Sequence, residues 1–334
     1  MANNSTVSDG DMKYLPNETF DSDTLSSAFY SLIFIFSVTG NVLLLCVLIT
    51  YENLKNVTNL FVLNLACSDL VFTFTLPFWA VYNLHHWIFG DFACKFMVAA
   101  YFVGVYCSVI LLTAMTVDRF TTVVLHNWPN KPVWRQRCAM AACAAAWVIS
   151  IAASMRDAIQ VKVEIQWNGQ YMCDALSNGP DANQGYYLQV SLLFFLPFVI
   201  IVFCYSAILK TVLQTSYRRS VRTVVVVLCI VTAFFLCWGP YNILMIILSL
   251  HEDCDESWFS AFYICRILAF SHCCMNPLLY MLSQKLRRHL LQLLHCKNAC
   301  RKNRERGTGH STSVLHNVAF TAQTSAVTMD YHSK

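Results

Sequence analysis

Four ionisable side chains stand inside otherwise apolar runs of this 334-residue chain: Asp69, Asp118, Arg119 and Arg266. Asp118 and Arg119 are neighbours in TVDRFTTVV, an acid and a base whose chemistry is an ion pair that can be made and broken. Asp69 has Ser108, Asn41 and Asn276 as candidate partners on other apolar runs. A carboxylate with such partners reads either as an inert polar cluster holding helices together or as a cation pocket, for which sodium is the ion. Arg266 is an isolated cation that either snorkels to a surface or lines a water-filled cavity and meets an acidic group. Enzymatic signatures are missing: the sequence has no GxxxxGK[ST], no HExxH and no GxSxG, and His85-His86 sits in a short polar connection. No lysine occurs between Lys210 and Lys285, so a Schiff base in the last apolar run is excluded. Neither a catalytic residue nor a metal site is expected, and sodium is the one small ligand considered.

The elements that must carry these residues follow from composition. Hydrophobic residues make up 57% and charged ones 13%, against roughly a quarter charged in soluble domains. A helical crossing of a bilayer needs about 20 apolar residues, and seven stretches qualify: 26–50, 59–84, 94–124, 138–155, 186–212, 223–250 and 258–282. The expected fold is an all-α membrane protein, a seven-transmembrane helix bundle with an amphipathic interfacial eighth helix. Its expected divisions are an extracellular acidic glycosylated tail over 1–24, the bundle over 25–283, the interfacial helix over 284–296 and a disordered cytoplasmic tail over 297–334. With the N-terminus outside, the outer segments hold fourteen acids against four bases, and the inner ones seventeen bases against three acids. Counting bases near the spans gives the same orientation. Residues 1–23 lack the basic-then-apolar pattern of a cleaved signal peptide, so the first span is expected to act as its own insertion signal. A burial cost of about 2.5–3.5 kcal/mol for a charge at bilayer depth then gives Asp69 and Arg266 their significance. Asp69 is ten residues into the second span, about 15 Å deep at 1.5 Å per residue.

Of the sixteen cysteines, only Cys94, Cys173 and Cys254 face the oxidising side. A Cys94–Cys173 bond would fasten the long outer loop to the top of the third span and leave Cys254 over. Cys273 and Cys274 read as small buried residues. Sequons at Asn4 and Asn17 suit glycosylation of an exterior tail, whereas Asn56-Val57-Thr58 falls inside and reads as chance. Tyr14 lies among acids, where a basic partner could be captured and sulfation would add charge. Beyond the last span, Leu286, Leu290, Leu293 and Leu294 oppose Lys285, Arg287 and Arg288, the pattern of a helix lying in the membrane interface. Cys296 and Cys300 beside it are palmitoylation candidates, and the Ser/Thr-rich 307–334 reads as a phosphorylation tail.

Pro77, Pro197, Pro240 and Pro277 mark bends within spans. Together with the buried polar cluster they suit a receptor, a pump or a transporter, although seven non-repeating spans argue against a transporter with repeated halves. Gly40-Asn41, NLACSDL around Asp69, Cys94, DRF at 118–120, Trp147, Pro197 with Tyr205, CWGP over 237–240 and NPLLY over 276–280 then resemble the rhodopsin-like G-protein-coupled receptors. The match covers about 25–296, and markers on all seven spans in order, with Cys94 and DRF bounding the third, are specific where each alone is weak. TLP at 75–77, Trp79, WIFGDFAC and SHCCMNPLLY resemble the chemokine receptors among them. ICRILAFSHCCMNPLLY and CWGPYN resemble the XC, or lymphotactin-type, class in particular, and Arg266 stands where most chemokine receptors carry a glutamate.

The resemblance implies a plasma-membrane, multi-pass receptor for a small basic chemokine. The acidic tail and the loop acids Glu252, Asp253, Asp255 and Glu256 would hold the ligand first. Its N-terminus would then enter a pocket containing Trp79, Tyr101, Tyr241 and Arg266. At the cytosolic mouth Asp118 would hold Arg119 until the sixth helix moves, with Tyr205, Trp238 and Tyr280 completing the activation switch. The implied partners are an inhibitory-class heterotrimeric G protein, arrestin and receptor kinases at the C-terminal tail, and membrane lipid; no nucleic acid is implied. The output would be calcium release and chemotaxis. A scavenger of the same fold, with weak or no G-protein coupling, is the alternative, as is a receptor for another chemokine class. Three departures from the family pattern stand out. Phe120 replaces a tyrosine, His126 stands where relatives have Ala or Pro, and residues 1–45 hold no cysteine to pair with Cys254.

Overall fold

The computed structural model describes residues 16–125, 132–166, 169–175, 191–214, 218–250, 256–281, 288 and 292. Its helices are α1 (Pro16–Tyr51), α2 (Val57–Leu84), α3 (Gly90–Val123), α4 (Pro132–Gln160), α5 (Leu196–Gln214), α6 (Arg218–Leu250), α7 (Glu256–Phe270) and α8 (His272–Met281). A π-helical turn, Ser191–Phe195, leads into α5. Five of these helices are long and apolar enough to cross a membrane, and Leu196–Val212 is a shorter apolar one.

Their outer faces fit that solvent. Phe36, Val148 and Phe203 are about two-thirds exposed, a liability in water and the ordinary lipid contact of a spanning helix. Inward, Phe61, Leu65, Phe72, Leu76, Leu111, Leu112 and Met115 are fully enclosed. Close helix approach depends on small residues. A Cβ on Gly104 would sit 2.6 Å from Phe72 Cβ and 2.9 Å from its backbone nitrogen, and one on Gly40 would sit 2.7 Å from Pro277 Cγ.

Several expected boundaries shift. α1 starts at Pro16, so residues 16–24, assigned above to the tail, are helical. α4 extends past 138–155 at both ends and takes in Arg135 and Asp157. The seventh span divides at Ser271, where the backbone turns: Ser271 N–H donates to Ile267 O (3.0 Å) and Leu268 O (3.2 Å). Asn56 is the N-cap of α2, its Oδ1 accepting from Thr58 N at 3.0 Å, which is the structural use of that third sequon. The expected interfacial helix over 284–296 lies outside the described residues, apart from positions 288 and 292.

Outside the membrane, Val161–Ile165 (β1) and Tyr171–Ala175 (β2) form an antiparallel hairpin in which Val163 pairs with Cys173. The Cys94–Cys173 disulfide is formed. Two more bonds seat the hairpin: Trp87 N–H donates to Tyr171 O (2.9 Å), and Val163 N–H to Asp91 Oδ1 (3.1 Å). Trp87, Cys94 and Met97 make a small buried cluster beneath it.

Candidate receptor site and switch

Three groups of side chains occupy successive depths of the bundle. The outermost is aromatic. Trp79 packs on Trp87 and Tyr101 with ring centroids 5.8 and 6.4 Å apart. Tyr101 continues to Phe72 (5.3 Å), Phe270 (5.6 Å) and Trp238 (6.3 Å). Trp238 reaches Tyr241 (5.9 Å), and Tyr241 reaches Phe262 (5.9 Å). The Arg266 guanidinium closes the ring, 5.4 Å from the centroid of Phe270, 5.7 Å from Tyr30 and 5.9 Å from Phe262. Cation–π contact, stronger where water is scarce, therefore stabilises this charge. No carboxylate of the described residues forms an ion pair with Arg266. Asp23, whose carboxylate accepts from the Tyr263 hydroxyl at 3.0 Å, interacts with the Arg266 charge through space. Trp79, Tyr101, Tyr241 and Arg266, four positions far apart in sequence, thus belong to one connected set, and Tyr30 joins them unforeseen.

The second group is polar and buried. Asn276 Nδ2 donates to Asp69 Oδ2 at 2.5 Å, and Ser108 Oγ to Asp69 Oδ1 at 3.3 Å. Ser68 and Ser108 hydroxyls meet at 2.9 Å. Asn41 is not a partner of Asp69. Its Nδ2 donates to the Cys273 carbonyl (2.9 Å) and to Ser37 O (3.0 Å). Cys273 O is the acceptor that the missing N–H of Pro277 leaves unbonded along the helix, so Asn41 satisfies the proline break. His272 is a member that the sequence reading overlooked. Its Nδ1–H donates to Ala269 O (2.8 Å), which aims Nε2 at Asp69 Oδ1, 4.0 Å away. The Trp238 ring lies 5.4 Å from His272, which links this cluster to the aromatic set above.

The third group is the Asp118–Arg119 pair. Asp118 accepts both bonds of a fork from Arg135, 2.7 Å from Nε and 2.6 Å from Nη2. Arg119 Nη2 is 3.7 Å from Asp118 Oδ2 and donates a hydrogen bond to the Thr58 hydroxyl on α2. The expected hold of acid on neighbouring base is thus the weaker of two contacts. Side chains one residue apart on a helix do not face each other, so the acid turns to α4 and the base to α2. Tyr205 is buried on α5. Tyr280 lies on α8, and its side chain, like those of Asn17 and the rest of 16–22, is outside the description. Tyr14, Asn4, Cys254, Cys296, Cys300 and the acids 252–255 also fall outside the described residues. A sequence signal for Arg135 existed in the basic cluster 131–137, but it reads equally as orientation charge.

A bundle of bent membrane helices with an aromatic basin, a buried polar cluster and a cytosolic ion-pair site has the architecture of a seven-helix receptor. Residues 40–280 match the family model of the 7 transmembrane receptor (rhodopsin family). Human chemokine XC receptor 1 is 38% identical over 289 residues, covering 83% of each chain. The mouse chemokine XC receptor 1 is 37% identical over 294 residues, covering 86% of this chain and 88% of its own. Human C-C chemokine receptor type 1 is 33% identical over 281 residues, covering 80% and 78%. The chain belongs to the chemokine receptors of the rhodopsin family: it is a multi-pass plasma-membrane receptor with its N-terminus outside, and not an enzyme.

Proposed function

We propose that this receptor takes an XC-class, lymphotactin-type chemokine and signals through inhibitory-class heterotrimeric G proteins to calcium release and chemotaxis. The carrying observation is Arg266, a cation among Tyr30, Phe262 and Phe270 in the aromatic basin. A cation there favours a ligand tip that is neutral or carries an acceptor, and disfavours a cationic one. The basic body of the chemokine is held by the acidic tail, with Tyr14, and by Glu252, Asp253, Asp255 and Glu256, whose charge speeds encounter. Trp79, Tyr101 and Tyr241 supply the apolar walls. Trp238 stands between basin and polar cluster, so a ligand that displaces it changes the packing on His272. Asp69 and Ser108 offer carboxylate and hydroxyl oxygens that fit a sodium ion, a hard cation preferring oxygen donors; the ion would favour the resting bundle. Release of Arg119 from Asp118, acting together with Tyr205 and Tyr280, then opens the G-protein surface. Asn4 and Asn17 carry glycans, Cys296 and Cys300 carry lipid, and the C-terminal tail receives kinases and arrestin.

Arg266→Glu tests the ligand assignment: calcium responses to an XC-class chemokine should fall at matched surface number, and an unchanged response refutes the role. A scavenger reading is favoured by Phe120, which lacks the family's tyrosine hydroxyl and packs on Phe203 with centroids 6.0 Å apart. Ligand-stimulated nucleotide exchange on an inhibitory-class G protein separates the two, since a scavenger shows none.

A further inference from the structure

Arg135 holds Asp118 more completely than Arg119 does. A guanidinium fork on a carboxylate engages both oxygens at once, and here Arg135 lies 2.7 and 2.6 Å from them. Arg119 Nη2 approaches Oδ2 at 3.7 Å. The Asp118 and Arg119 side chains are each 11% exposed and that of Arg135 37%, so the Arg135 contact is the more screened by solvent and its advantage lies in the geometry of the fork. Arg135 also lies in the first turn of α4, which begins at Pro132. A cation there is opposed by the helix dipole, so its position depends on an acid such as Asp118 to compensate. Both residues line a cavity of about 450 Å³ with Trp134 and Cys138.

We propose that Arg135 is a positioning residue of the activation switch: it competes with Arg119 for the Asp118 carboxylate and so eases the release of Arg119. The proposal rests on the reading of Asp118 and Arg119 as that switch. Removing Arg135 leaves Arg119, among the described residues, as the cation paired with Asp118, which tightens the resting pair. Its sign is therefore opposite to that of removing the acid.

The test is equilibrium binding of nucleotide-free inhibitory-class G protein to membranes carrying the full-length receptor, at receptor numbers matched by an N-terminal epitope tag. Arg135→Gln should weaken that binding about fivefold, the low end of coupling between linked sites, and Arg135→Lys, which keeps charge and loses the fork, should fall between. Asp118→Asn should tighten it, and the double variant Asp118→Asn/Arg135→Gln should match Asp118→Asn alone, because Arg135 acts only through the acid. An unshifted or tighter Arg135→Gln beside a tighter Asp118→Asn overturns the proposal and leaves the switch standing. Additive effects in the double variant also overturn it. If neither single variant shifts binding, the switch reading falls, and the proposal with it. Where Arg135→Gln does not reach the surface, an unchanged Arg135→Lys overturns the proposal.

Discussion

Asn41 on α1 donates through Nδ2 to the Cys273 carbonyl on α8 at 2.9 Å, and Ser37 Oγ adds a second bond to the same oxygen at 3.3 Å. The first helix thereby satisfies the acceptor that Pro277 strands in the seventh span. Asn41→Leu should lower the thermal unfolding midpoint of the detergent-solubilised receptor, by a loss of about 1–2 kcal/mol typical of interhelical hydrogen bonds in membranes. Ser37→Ala should cost less, since Asn41 remains. A midpoint unchanged in Asn41→Leu would separate the proline break from bundle stability.

Gly104 is a packing requirement. A side chain there meets the backbone of Phe72, 2.9 Å from its nitrogen, and backbone does not rotate away. Gly104→Val should therefore destabilise by about 1–3 kcal/mol through overpacking and reduce the fraction of receptor reaching the surface, read by flow cytometry. Gly90 has open space around its Cβ position, yet its φ of 80° is left-handed. Gly90→Val should be unfavourable through backbone strain.

The Cys94–Cys173 bond holds β2 at the top of α3. Cys173→Ser should abolish high-affinity chemokine binding while surface number falls less than binding, because the hairpin covers the small Trp87, Cys94 and Met97 cluster while the main core packs between the helices. Radioligand binding and surface labelling on the same cells measure both. Equal loss of the two would make the bond a folding requirement instead.

The Asp69 cluster allows a direct test of the ion. Any ligand that binds the folded state alone raises stability as its concentration exceeds the dissociation constant. Purified receptor should unfold at a higher temperature in sodium chloride than in N-methylglucamine chloride of equal strength, and Asp69→Asn should remove the difference. Equal midpoints for the unsubstituted receptor in the two salts would mean that the cluster is an inert polar tie between α2, α3 and α8.

Much of the architecture was readable in advance, because a charge-poor run of about 20 residues has few alternatives in a bilayer. Topology narrowed the candidates to Cys94, Cys173 and Cys254 and favoured the Cys94–Cys173 pairing that is formed. Boundaries were less legible. The polar ends of α1 and α4 look like loop by composition, and helix continues there because backbone groups near the interface bond best within the chain. The break at Ser271 was also hidden, since Pro277 announces a lost bond but not where the helix yields. Asn41 was assigned to Asp69 because both are buried amides or acids in neighbouring spans, and only the helix rotations show which acceptor it reaches.

From sequence alone came the number and orientation of the spans, the outward cysteines and the short roster of buried charges, since each depends on composition and on spacing along one helix. The tertiary structure decided which cation Asp118 holds. Adjacent residues on a helix diverge around its axis, so TVDRF places an acid beside a base in the chain and yet sends the acid to Arg135 and the base to Thr58. That outcome depends on how α2, α3 and α4 pack, a relation between distant segments that no local spacing encodes.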